Sequence, residues 1–150
     1  MIREADRRDL ATIVALLRND PLGVVREDDR AAEGQAYVQA FEAIDADPNH
    51  VLLVVEVEDL VVACLQLSFL PNLTYTGGLR AQIEGVRVAE GVRGRGLGRQ
   101  LVAHAIGRAR SRGCVMVQLT TDIRRPEALA FYQDLGFTAS HHGMKLHLNA

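Results

Sequence analysis

The stretch Gln82 to Arg99, QIEGVRVAEGVRGRGLGR, decides how the rest of the chain is read. It alternates as a strand through Val88, passes a short acidic link, and reaches Arg93-Gly94-Arg95-Gly96-Leu97-Gly98, which opens directly into an amphipathic helix. A strand that delivers a glycine-rich turn to a helix start is an anion cradle. The first helical N–H groups have no intrahelical acceptor, and the helix dipole adds positive potential there. A plainer reading competes with it, in which Gly94, Gly96 and Gly98 only make a tight strand-to-helix turn.

What the turn lacks narrows the ligand. A Walker loop carries Lys and then Ser or Thr after its last glycine, whereas Gly98 is followed by Arg99 and Gln100. The dinucleotide fingerprint needs a glycine at position 99 and belongs to the first strand of its unit, whereas this turn lies past the middle of the chain. The pattern left is Arg-x-x-Gly-x-Gly, met by Arg93, Gly96 and Gly98 behind Val86-x-Val88.

Composition bounds the rest. A length of 150 residues suits a single domain, residues 1–150, with one sizeable core, and 48% apolar with 24% charged residues is ordinary for a globular protein. A net charge of −2 provides no basic field for nucleic acid or anionic lipid. No apolar run approaches a membrane span, and MIREADRRDL has no signal-peptide core, so a cytoplasmic protein is expected. Cys64 and Cys114 each sit in an apolar strand-like run, and buried free thiols suit a reducing compartment.

Taken in order, Met1 to Ala5 forms a short strand, and Asp6-x-x-Asp9 caps an amphipathic helix carrying Leu10, Ile13, Val14, Leu16 and Leu17, stopped at Asn19 to Gly23. A second helix runs from about Asp28 to Ala46, and the acidic Glu27-Asp28-Asp29 at its start suits a solvated helix end better than an amine-attracting patch. His50 to Val57 reads as a central strand buried on both faces. Glu58-Asp59 turns the chain, Leu60 to Leu70 returns, and Pro71 to Gly78 is a polar loop. After the glycine turn a helix with Leu97, Leu101, Val102, Ala105 and Ala109 on one face ends at Gly113, and Cys114 to Thr121 is the next strand. That makes a parallel, right-handed crossover unit. Pro126 opens a last helix bearing Leu129, Phe131 and Tyr132, closed by Gly136, and Phe137 to Leu148 forms a final hairpin turned at His142-Gly143.

This order, the Arg93 to Gly98 turn, and the segment from Ala128 to Phe137 with its Tyr-x-x-x-Gly-Phe (Tyr132, Gly136, Phe137) together resemble the GNAT family of N-acetyltransferases. The resemblance covers nearly the whole chain. It implies an α/β fold built on a central mixed β-sheet, with a parallel splayed pair and helices on both faces. It also implies acetyl coenzyme A as cosubstrate and no metal. Backbone N–H groups of Arg93, Gly94, Arg95, Gly96, Leu97, Gly98 and Arg99 would hold the pyrophosphate, and the backbone of Val86, Arg87 and Val88 would pair with the pantetheine arm, mimicking an added strand. Gly85 within that strand marks a bulge or close approach, or is tolerated for packing. Arg93, Arg95 and Arg99 either add charge-assisted phosphate contacts or are solvated.

Acyl transfer to an amine further needs a base, since an alkylammonium with a pKa of roughly 10 is no nucleophile at neutral pH. Glu84 is the candidate, acting through water, against a structural Glu84 bridged to Arg80 or Arg87. Tyr132 matches the family tyrosine that protonates the departing thiolate, against a core aromatic. The oxyanion would take a backbone N–H near Val86. Many family members carry an Asn that contacts the cofactor arm where this chain has Thr120-Thr121-Asp122, so either Thr121 or Asp122 substitutes for it or that contact is absent.

His50, His104, His141, His142 and His147 show no metal-ligand spacing, and no serine sits in a nucleophile elbow. The expected activity is acetyl transfer to a primary amine, with a small-molecule acceptor and a homodimer as compatible states. The other reading is a non-catalytic acyl coenzyme A sensor of the same fold. The acceptor is chosen by loops near Leu22 to Arg30, Pro71 to Gly78 and His141 to Gly143, whose chemistry leaves it open.

Overall fold

Among the described residues five strands hydrogen-bond in the order in which the chain makes them: β1 (Ile2–Glu4), β2 (His50–Val57), β3 (Leu60–Leu70), β4 (Arg80–Val88) and β5 (Met116–Gln118). The first four pair antiparallel, and β4 pairs parallel with β5 through three register positions, from Arg80↔Met116 to Gln82↔Gln118. This is the mixed sheet expected, with its crossover made by α3 (Leu97–Ser111) after α1 (Leu10–Arg18) and α2 (Gln35–Ala46). The computed structural model describes residues 1–19 and 34–149. They fall into two units, Met1–Gln118 and Leu119–Ala150. The start of the second expected helix, its acidic residues and the stop at Asp20 to Gly23 lie outside the described residues.

Local chemistry explains the element ends. Asp6 and Asp9 form a reciprocal capping box: the Asp6 carboxylate accepts from Arg8 N–H at 2.9 Å, and Asp6 N–H donates to Asp9 at 2.8 Å. One 3-10 turn, Arg7–Asp9, then leads into α1. β2 and β3 keep the bounds read from their β-branched and leucine-rich runs. Glu58 and Asp59 both take left-handed backbone (φ 50° and 64°), as a tight hairpin between right-twisting strands requires.

Strand alternation assigns the two sheet faces. On one, Ile13 and Leu16 of α1 pack on Val54 and Cys64, while Leu10 and Val14 meet Phe41 of α2 over Leu52. The other carries Leu53, Leu65, Leu67, Ala81 and Ile83. There Phe69 lies under the Arg112 guanidinium at 4.3 Å, just past the end of α3. α3 buries Leu101, Val102, Ala105 and Ala109, the face expected of it. Each fully buried Leu or Val side chain contributes about 1.5–3 kcal/mol.

Three expectations change. β5 is shorter than Cys114 to Thr121, because Cys114 N–H still bonds to Ala109 in the last turn of α3 and the ladder to β4 ends at Gln118. Cys114 therefore precedes the strand and is only partly buried, whereas Cys64 is buried within β3; both thiols are free. The final hairpin is absent among the described residues: no strand is formed from Phe137 onward, and Met144, Leu146 and Leu148 are exposed. Their alternation suits a strand, but a strand exists only where a neighbour completes its ladder.

Within the second unit, Pro126 opens α4 (Pro126–Asp134) at its first turn, and Gly136 ends the turn with φ 100°. Tyr132 packs edge-on against Phe131 (5.0 Å) and Phe137 (5.7 Å).

Candidate active site

A bulge in β4 prepares the edge that leads to the glycine turn. Gln66 pairs with Glu84 but Cys64 with Arg87, so Leu65 alone faces both Gly85 and Val86. Gly85 sits at φ +63°, the conformation that lets a strand absorb one extra residue, so the bulge expected there is present. Beyond it, Ala89 N–H reaches Val62 O at 2.7 Å. Residues on the alternate positions, Val86 and Val88, therefore turn their backbone groups away from β3. Pairing with β5 has ended four residues earlier, at Gln82. This outward edge is capped by side chains: Arg87 donates to Val86 O at 2.8 Å, and Arg93 Nε to Val88 O at 3.1 Å.

The turn itself offers donors. After a 3-10 turn at Glu90–Val92, Gly94 and Gly96 take φ +84° and +77°, and Gly96 is the N-cap of α3 with no side-chain cap. The N–H groups of Gly94, Arg95, Gly96, Leu97 and Gly98 have no backbone acceptor among the described residues; Gln100, bonded to Gly96 O at 3.0 Å, is the first residue of the helical ladder. These are the orphan donors of a helix start, held on exposed backbone at its positive end. Left-handed backbone accounts for Gly94 and Gly96. Gly98 is absent from the positive-φ glycines, so its lack of a side chain answers no conformational demand.

Glu84 is exposed on the α1 side of the sheet, since it pairs with Gln66. It forms no ion pair with Arg80 or Arg87 among the described residues, so the purely structural role weighed for it has no partner. Gln82 and Arg80 precede it on the same face, at alternating positions opposite Ser68 and Leu70. Gln118 Nε2 donates to Gln82 Oε1 at 3.0 Å, and Ser68 Oγ lies 2.8 Å from His50 Nδ1. Sequence reasoning missed this polar row. Its signal was the Arg80-x-Gln82-x-Glu84 alternation.

Tyr132 belongs to the second unit, with the aromatic neighbours given above. Asp122, weighed as a replacement for the family Asn, accepts from Arg124 N–H (2.9 Å) and its guanidinium (2.7 Å), so its carboxylate serves its own turn. His50 lies 3.6 Å from Asp47 as well as against Ser68, a structural placement, and His141 bonds Ser140 at 2.7 Å. Among the described residues no group of His, Cys, Asp or Glu is arranged to hold a metal, and no helix is long and apolar enough to cross a membrane. Burial pushes the Cys64 thiol up to about 12, which keeps it protonated. Two hollows lie elsewhere: one of about 500 Å³ is bounded by Phe69, His104 and Arg112, and one of about 160 Å³ by Asp45, His50 and Arg108.

Comparison with known proteins agrees with this geometry. The acetyltransferase (GNAT) family model matches residues 8–137. The chain is 32% identical over 108 residues to an aminoalkylphosphonate N-acetyltransferase of Salmonella typhimurium, covering 71% of this chain and 69% of that protein. It is 35% identical over 88 residues to a glucosamine 6-phosphate N-acetyltransferase of Trypanosoma brucei brucei, covering 59% of this chain but only 58% of the trypanosomal enzyme. In three dimensions it is similar to a crystal structure described as a transcriptional regulator from Bacillus halodurans C-125, with a TM-score of 0.96, 49% identity and 99% of both chains covered. Bulged strand, open edge, glycine turn and crossover helix all lie within the residues the family model matches, and this chain belongs to the GNAT family of acetyltransferases.

Proposed function

We propose that this chain moves an acetyl group from acetyl coenzyme A to the primary amine of a small molecule within one ternary complex, residues 1–150 acting as one catalytic domain. The observation that carries the reading is the run of amides from Gly94 to Gly98, without a backbone acceptor among the described residues, at the start of a long helix. Such a run fits a diphosphate, and Gly98 leaves room for its close approach. Arg93, Arg95 and Arg99 supply charge around it. Val86, Arg87 and Val88 offer a backbone edge for an amide-bearing arm. Arg87 and Arg93, which cap its carbonyls, yield them when the arm binds.

In the reaction the neutral amine attacks the thioester carbon, an N–C bond forms, and the C–S bond breaks. Glu84 accepts the ammonium proton through water, Tyr132 gives a proton to the departing thiolate, and the second proton shed by the nitrogen as the amide forms returns to the Tyr132 phenolate. An outward N–H near Val86 supports the oxyanion. Cys64, protonated and buried, does not serve as an acyl carrier. The acceptors named for the trypanosomal and Salmonella relatives are small amines, which supports a small molecule over a protein lysine. Two free thiols fit the cytoplasm.

A second reading, an acyl coenzyme A sensor without turnover, is favoured by one observation, the description of the Bacillus halodurans structure as a transcriptional regulator. Incubation with acetyl coenzyme A and a panel of amines, following free thiol, separates the two. Amine-dependent thiol release supports the enzyme. Saturable cofactor binding with no release from any amine supports the sensor.

A further inference from the structure

Among the described residues Arg80 is a cation without a counter-charge. Its guanidinium is held by neutral groups: the Thr74 hydroxyl, Gln118 Oε1 at 3.5 Å, and the face of Tyr75 at 5.4 Å. No carboxylate contacts it among the described residues, and its Nε is buried with no hydrogen-bond partner. A guanidinium that faces no carboxylate keeps its charge for an anion, which it binds by charge-assisted hydrogen bonds from its terminal nitrogens.

Its position says which ligand. Arg80 and Glu84 stand on the same face of β4, about 13 Å apart along the strand. The span between them leaves room for one small molecule, with Glu84 reached through a water. Gln82 lies between them and still has its amide N–H₂ to donate, because its Oε1 is taken by Gln118. The floor is thus negative at the end near the bulge, neutral and polar in the middle, and positive at the end under the loop of Tyr75. That pattern is complementary to a molecule with an ammonium at one end and a compact anion at the other.

We propose that Arg80 is the anion seat of the acceptor site, and that the acceptor is a primary amine that also carries a compact oxyanion such as phosphate, phosphonate or carboxylate. The proposal rests on the acetyl-transfer reading and deepens it. Arg80 selects the acceptor by its anion, Glu84 receives its amine end, and Gln82 and Gln118 fix the spacing.

Matched amines test it: phosphoethanolamine, β-alanine and propylamine, with glucosamine 6-phosphate against glucosamine. With the unaltered protein kcat/KM is expected to be about tenfold to a hundredfold higher for anion-bearing members, the range of one charge-assisted bond, through KM rather than kcat. The phosphate and carboxylate arms show which oxyanion is preferred. Arg80→Ala collapses the ratio between charged and neutral members, and Arg80→Lys restores part of it. Equal use of charged and neutral amines by the unaltered protein, or an equal loss for both in Arg80→Ala, overturns the assignment. Should no amine of either kind accept acetyl, it is the transfer reading that fails. Inorganic phosphate, added with coenzyme A saturating the glycine turn, then decides Arg80 alone. Thermal protection lost in Arg80→Ala upholds the seat, and protection unchanged by the substitution refutes it.

Discussion

The thiol of Cys64 lies 3.6 Å from the carbonyl oxygen of Gly85 and donates to it, across the point where β3 and β4 slip register by one residue. The contact ties the bulge to the core, since Cys64 is 2% exposed and packs with Val54, Ile13 and Leu16. A rigid bulge fixes where Val86 and Val88 present their outward backbone groups, and so links the packing under α1 to the edge used for the cosubstrate.

Gly85→Ala should therefore weaken both fold and binding. Its φ of +63° penalises an L side chain by about 1–2 kcal/mol, and the new Cβ would lie 3.4 Å from Leu17 Cδ2. Thermal unfolding should shift down by several degrees, and KM for acetyl coenzyme A should rise. A midpoint and KM equal to those of the unaltered protein would show that the bulge is not what shapes this edge.

The turn glycines should separate by role. Gly96→Ala loses about 1 kcal/mol or more of stability, because its left-handed backbone is disfavoured for alanine while no atom lies within 4 Å of the new Cβ. Gly98→Val has no such demand to violate. It is expected to raise Kd for coenzyme A at least tenfold. Calorimetric titration beside a melting curve distinguishes them, and equal Kd values for Gly98→Val and the parent would remove the diphosphate from this turn.

Glu84→Gln and Tyr132→Phe should each lower kcat by about a hundredfold while leaving KM for acetyl coenzyme A within a few-fold. Retention of full turnover by both variants would reassign the proton steps to other groups, without touching the family.

Acid stability should depend on the N-terminal cap. Asp9 is 7% exposed and accepts two bonds from Arg3, at 2.8 and 3.0 Å, and that guanidinium holds its carboxyl below the usual range. A carboxyl lowered on folding stabilises the fold fully above its unfolded value, about 3.9, and the contribution is lost as pH falls through the folded value beneath it. Asp9→Asn is expected to cost about 1–3 kcal/mol at pH 7, with the gap to the parent narrowing below about pH 4. Urea unfolding at both pH values measures it, and a pH-independent gap would mean that shape rather than charge is lost.

What the sequence by itself determined is local. β-branched runs closed by turn residues set the ends of β2 and β3, Asp6-x-x-Asp9 set the cap, and Gly85, Gly94 and Gly96 marked the left-handed backbone because few other residues tolerate it. The family was legible for the same reason, since its turn is a contiguous motif whose glycines answer demands made within a few residues. The tertiary structure alone decided which strand finds a partner. Cys114 to Thr121 and Met144 to Leu148 both have the composition of strands, but the first pairs only from Met116 to Gln118 and the second not at all among the described residues. The alternation from Arg80 through Gln82 to Glu84 was visible in the sequence, but its meeting with Gln118 was equally out of reach. Residues 80 and 118 meet only through the register of a parallel pair, and register is settled by burial of whole faces rather than by any one residue.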